Sequence, residues 1–134
     1  NFPAMTVFEN ILVAVEQGAY RKSSSWWPHV NKANCIERTE ELIRSVGLID
    51  QSFLFASGLA RYEQRCLEIA RGLAMNPLIL LVDEPADGMN TEQQHAMADL
   101  LKKVCKGALT LVVTSAGSDP FTIICDRTVH LSPH

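Results

Sequence analysis

Eight consecutive residues, Leu78-Ile79-Leu80-Leu81-Val82-Asp83-Glu84-Pro85, constrain this chain more than any other stretch. An unbroken aliphatic run of this length is what a strand covered on both faces requires, and it predicts a buried strand of a parallel sheet. Two carboxylates at its end then need an ion, a ligand or water. In parallel α/β sheets ligands collect at the carboxyl ends of the strands, so Asp83 and Glu84 stand where a magnesium ion and an attacking water could be handled. The plain alternative is a buried strand that leaves the core with its acids solvated.

The sequence around this run has the length of one compact domain, 134 residues, and its 47% hydrophobic content is enough for a core. Twelve basic residues face fifteen acidic ones, and no basic stripe is present, so nucleic acid is not expected as a partner. No apolar run approaches bilayer length, and Asn1-Phe2-Pro3-Ala4 does not open a signal peptide. The expectation is a cytoplasmic protein with no direct membrane insertion. Cys35, Cys66, Cys105 and Cys125 are widely spaced and read as reduced structural thiols.

Ahead of the run the pattern is helical. Thr6-Val7-Phe8-Glu9 is a capping box that starts a helix, with Val7, Ile11, Leu12 and Val15 on one face and Gly18 as its stop. A loop is expected from Tyr20 to Asn34. Within it Trp26 and Trp27 suit either closure over a core or a platform for a ligand or partner. A second helix is predicted from Lys32 to Ser45, burying Ile36, Leu42, Ile43 and Val46 and ending at Gly47; residues 48–58 read as irregular. A third helix runs from Ala60 to Met75 on the spacing of Leu59, Tyr62, Cys66, Leu67, Ile69, Ala70, Leu73 and Ala74, and Asn76-Pro77 stops it.

After the run the pattern alternates. Asn90 or Thr91 caps a helix with Met97, Leu100, Leu101 and Val104 on one face, Gly107 ends it, and residues 109–114 form a second buried strand, parallel to the first. A short helix is expected from Ser118 or Asp119 to Cys125, and a third strand from Thr128 to Leu131. The fold class is therefore α/β, a helical lobe plus a small parallel sheet, divided into a helical subdomain over residues 1–77 and a partial α/β subdomain over residues 78–134.

Several segments in order resemble the ATP-binding-cassette (ABC) transporter ATPases, most of all the type that energises branched-chain amino-acid import. They are Met5-Thr6-Val7 with Glu9-Asn10, Gln64 to Arg71, Asn76-Pro77, and Leu80 to Pro85, which matches the family's Walker B motif. Gly88-Met89-Asn90 resembles the D-loop and Asp126-Arg127 a late aspartate. The resemblance implies a truncated P-loop NTPase fold. It implies ATP and magnesium as cofactors, Asp83 orienting the metal through water, and Glu84 polarising the attacking water as the catalytic carboxylate. It also implies permease subunits as partners.

The pattern departs from the family elsewhere. No G-x-x-x-x-G-K-[ST] phosphate loop occurs in these residues, and the chain starts after the position of the family's Q-loop glutamine. Where the signature loop reads Leu-Ser-Gly-Gly-Gln, this chain has Leu59-Ala60-Arg61-Tyr62-Glu63, whose side chains should bar close approach of backbone amides to a phosphate. Arg61 reads either as a solvated residue or as a compensating phosphate clamp. The family's switch histidine aligns with Ala116.

The resulting expectation is an ABC-ATPase-like protein that does not hydrolyse ATP alone, takes no cofactor by itself, and acts in binding or assembly. The alternative is part of a working amino-acid-transport ATPase completed by another segment. An unpaired apolar strand edge predicts homo-oligomerisation.

Overall fold

The computed structural model describes residues 1–22, 31–105, 107–115 and 120–130. Trp26, Trp27, Pro28, Ala116, Ser118, Asp119 and Leu131 lie outside them. Five α-helices and two strands follow in the order α1 (Val7–Lys22), α2 (Lys32–Ser45), α3 (Arg61–Ala74), β1 (Ile79–Asp83), α4 (Thr91–Val104), β2 (Thr110–Thr114) and α5 (Phe121–Ile124). A single 3-10 turn, Ala56–Gly58, precedes α3.

Helix α1 begins as its capping box requires. The Glu9 amide donates to Thr6 Oγ1 at 3.2 Å, and the Thr6 amide donates back to the Glu9 carboxylate at 2.8 Å. Asn10, fully buried, organises the residues ahead of the helix. Its Nδ2 donates to the carbonyls of Phe2, Met5 and Thr6, and its Oδ1 accepts from the Phe2 amide at 2.8 Å. A buried amide satisfied in this way fixes the course of residues 2–6. The segment then runs beside residues 52–57, with an antiparallel bridge between Thr6 and Phe55 and hydrogen bonds from Val7 N to Leu54 O and from Ala56 N to Met5 O.

Gly18 does not stop α1, which continues to Lys22. It is instead a point of close approach: a Cβ at Gly18 would stand 2.7 Å from the carbonyl oxygen of Ala74 at the end of α3. Of the loop expected from Tyr20 to Asn34, residues 20–22 belong to α1 and residues 32–34 to α2, and residues 23–30 lie outside the described residues. In α2 the inward face is Cys35, Thr39, Leu42 and Ile43; Ile36 is 44% exposed and lies off that face, contrary to expectation. Thr39 is tolerated inside because its hydroxyl donates to the Cys35 carbonyl at 2.7 Å.

Helix α3 buries Cys66, Leu67, Ile69, Ala70 and Ala74. At its start the Glu63 carboxylate accepts from the Ala60 amide at 2.8 Å, half of a capping box, since Ala60 has no side-chain oxygen to complete it. Asn76, at φ +48°, turns the chain out of the helix. Helix α4 starts with a complete capping box between Asn90 and Gln93.

Strands β1 and β2 are parallel and in register from Ile79 opposite Thr110 to Asp83 opposite Thr114. The sheet is covered on one face. Leu80 and Val82 belong to the core cluster with Leu67, Ile69, Met97 and Leu101, whereas Ile79 is 65% exposed, Leu81 67% and Val112 41%. The expectation of a strand buried on both sides is corrected: within the described residues nothing packs on the second face. Residues 128–130 form no strand. No helix among the described residues is long and apolar enough to cross a membrane.

Candidate functional site

The parallel register delivers the Asp83 carboxylate and the Thr114 hydroxyl to the same end of the sheet, and the hydroxyl donates to Asp83 Oδ1. The next residue turns sharply. The Glu84 amide is shared between the Thr114 carbonyl at 3.2 Å and the Thr114 hydroxyl at 3.3 Å, and Glu84 has φ +42°. A non-glycine residue at positive φ is strained by roughly 1–2 kcal/mol. Such strain persists where the surroundings impose it, and here Thr114 on one side and Pro85, buried in the core, on the other hold the chain. Two turns follow, from Asp87 N to Glu84 O at 3.2 Å and from Met89 N to Ala86 O at 3.0 Å.

Helix α3 flanks the strand. The helix position at Gly72 abuts Leu80, and about two turns towards the start of the helix Arg65 Nη2 donates to the Glu84 carbonyl at 3.4 Å. Arg65 Nη1 also contacts the Glu68 carboxylate at 2.8 Å. Between helix and strand lies an open groove of about 400 Å³ lined by Arg65, Glu68, Ile69, Leu80, Leu81, Val82, Asp83, Glu84 and Asp87. Asp83 and Glu84 thus share one cavity. Arg61 does not line it. Its Nε donates to the Asp87 carbonyl at 2.7 Å and its Nη2 pairs with the Asp87 carboxylate. Tyr62, the other bulky residue in the signature-like segment, packs against the core rather than standing over the groove. Burial pushes its phenol up to about 12 and the neighbouring Cys66 thiol up to about 11, so both stay protonated near neutrality. Thr114, Arg65 and Asp87 are the site residues that the sequence reading missed. Of these, only Thr114 left a signal, as the polar end of a strand parallel to the one ending in Asp83.

Carboxylate and hydroxyl oxygens are hard ligands suited to magnesium, which commonly takes one or two carboxylates and keeps its waters. No cluster of three or more His, Cys, Asp or Glu side chains able to cage an ion occurs among the described residues. Asp83 and Glu84, which line the same groove, belong to the ligand class that a hydrated magnesium ion takes. They do not fit a triphosphate alone, because four carboxylates line the groove against one guanidinium, and that guanidinium is already engaged by Glu68 and the Glu84 carbonyl.

No family model matches the chain. Individual relatives do. Over 114 residues it is 32% identical to the arginine transport ATP-binding protein ArtM of Bacillus subtilis, covering 85% of this chain and 44% of the relative. Over 110 residues it is 34% identical to the high-affinity branched-chain amino acid transport ATP-binding protein LivG of Escherichia coli, covering 77% and 42%. Among solved structures, cbiO1 from Clostridium perfringens, part of the ABC transporter complex cbiONQ, superposes with TM-score 0.74 over 92% of this chain and 45% of that one, at 18% identity. The ATP-binding cassette MJ0796, a dimer bound to ADP and Pi, superposes with TM-score 0.67 over 86% and 47%, at 24% identity. The chain spans about half the length of the curated relatives it matches. In sequence and in fold it is similar to the ATP-binding subunits of ABC transporters, those for amino acids among them, and its helices and small parallel sheet form part of the ABC ATPase fold.

Proposed function

We propose that this chain acts as the helical and Walker B portion of an ABC-type ATP-binding subunit, and that alone it does not hydrolyse ATP. Asp83 would hold magnesium through water, with its carboxylate oriented by Thr114, and Glu84 would polarise a water beside it. Magnesium, when bound, would supply charge neutralisation for phosphoryl transfer. The observation that supports the reading is the charge of the groove, in which the carboxylates of Glu68, Asp83, Glu84 and Asp87 outnumber the one guanidinium, Arg65. Arg61, committed to Asp87, has no phosphate role in this reading. Isothermal titration with ATP and magnesium tests it: absence of micromolar binding is expected, and micromolar binding with measurable turnover would overturn it.

A second reading, part of a working amino-acid-transport ATPase completed by another segment, is favoured by the open sheet face. Ile79 and Leu81 are each about two-thirds exposed, so covering them would contribute about 1–2 kcal/mol each. Mixing the chain with a segment that carries a phosphate loop should then restore hydrolysis that depends on Glu84, and its failure to do so would count against completion. Without such a segment the free edge of the two-stranded sheet favours self-association, and light scattering that shows a monomer at high concentration would refute this. Permease subunits are the further partners proposed, on the transport roles in the relatives' names; pull-down with such subunits tests that.

A further inference from the structure

We propose that Arg61 is a latch that fastens the first turn of α3 to the turn following β1, and that ionic strength sets how tightly it holds. The proposal is independent of nucleotide binding and concerns a positioning residue. Three attachments run down one side of α3. Gly72 abuts Leu80, Arg65 reaches the Glu84 carbonyl, and Arg61 reaches Asp87, so residue numbers fall along the helix as they rise along the strand and its turn. Positions 61, 65 and 72 share a helix face at 3.6 residues per turn. The last attachment is the strongest of the three by chemistry, because it combines a hydrogen bond to the Asp87 carbonyl at 2.7 Å with an ion pair to the carboxylate of the same residue.

The turn is shaped to receive it. Gly88 has φ +71°, and a Cβ there would fall 2.8 Å from Arg61 Nε and 3.1 Å from its Cζ. The guanidinium therefore lies against the glycine backbone in space that any other residue would fill. Among the described residues Arg61–Asp87 is also the one ion pair that joins distant parts of the chain; the others link residues three or four apart within a helix. Because Glu84 opens this same turn and its carbonyl accepts from the Asp87 amide, the latch restrains the segment that carries the strained Glu84 backbone.

Both partners are well exposed, at 59% and 64%, so salt should reach the ion pair while leaving the carbonyl hydrogen bond in place. Hydrogen exchange of the whole chain at the Asp87 and Met89 amides tests the latch. Arg61→Ala should lower protection there roughly tenfold, with α1 and α2 unchanged. In the unsubstituted protein about 1 M salt should lower it roughly two- to threefold, and Asp87→Asn should abolish that salt dependence. Unchanged protection in Arg61→Ala would overturn the latch. So would an equal fall across α1, α2 and α3, or protection indifferent to salt before any substitution.

Discussion

The Thr114 hydroxyl donates to Asp83 Oδ1 across the ends of the two parallel strands, so the carboxylate proposed above as a metal ligand is held by the neighbouring strand rather than by its own turn. Thr114→Val should keep the strand and lose this bond. Because both residues are exposed, the loss of stability should be about 0.5–1 kcal/mol, below the usual range for a hydrogen bond to a charged group. Urea denaturation checks it, and a midpoint unchanged from the parent would show that Thr114 does not hold Asp83.

Glu84 stands at φ +42°, where a side chain is disfavoured. Glu84→Gly should therefore stabilise the fold by about 1 kcal/mol, whereas Glu84→Gln, which keeps the Cβ, should leave stability within about 0.5 kcal/mol. Thermal unfolding of the two variants separates backbone strain from charge. Destabilisation by glycine would mean that the side chain, not the backbone, sustains the turn.

Two glycines in helices should respond differently to alanine. At Gly18 a Cβ meets the Ala74 carbonyl at 2.7 Å, a backbone atom that cannot yield, while at Gly72 it meets only Leu80 Cδ1 at 2.9 Å, the end of a flexible side chain. Alanine gains about 0.8–1 kcal/mol in helix propensity at either site. Gly72→Ala should come out near neutral, and Gly18→Ala should lose about 1–2 kcal/mol once overpacking is included. Equal stabilities for the two variants, read from denaturation midpoints, would contradict the close contact of α1 with the end of α3.

The backbone and side-chain hydrogen bonds from Thr6 hold the Glu9 carboxyl below its usual range. A folded-state value depressed below the unfolded one contributes stability that is present above the unfolded value, 4.5, and is lost as pH falls through the folded value. Glu9→Gln should flatten the stability profile over that acidic range and leave it parallel to the parent above it. An acid limb identical in the two proteins would show that the Thr6–Glu9 box does not contribute.

The elements were legible where spacing alone decides them. The faces of α1, α3 and α4, the capping boxes at Thr6 and Asn90, and the parallel pair with Asp83 at its end follow from periodicity and turn chemistry. What failed depends on contacts distant in sequence. Gly18 looks like a stop because glycine often is one, yet Ala74 needs its missing side chain. Ile36 carries an apolar side chain at a position that the packing of α2 leaves outside. The uninterrupted run before Asp83 suggests burial on both sides, yet alternate residues stay exposed because only one face of the strand packs on the core. Arg61 and Asp87, separated by 26 residues, carry no local signal of their pairing, and the strain at Glu84 depends on Thr114, thirty residues away.

Phosphate release from ATP, with magnesium and the purified chain, compared with Glu84→Gln, tests the central claim most directly. A groove whose carboxylates suit a hydrated metal but whose one guanidinium is already engaged should give no release above that of the variant. Release by the parent chain that Glu84→Gln abolishes would contradict it.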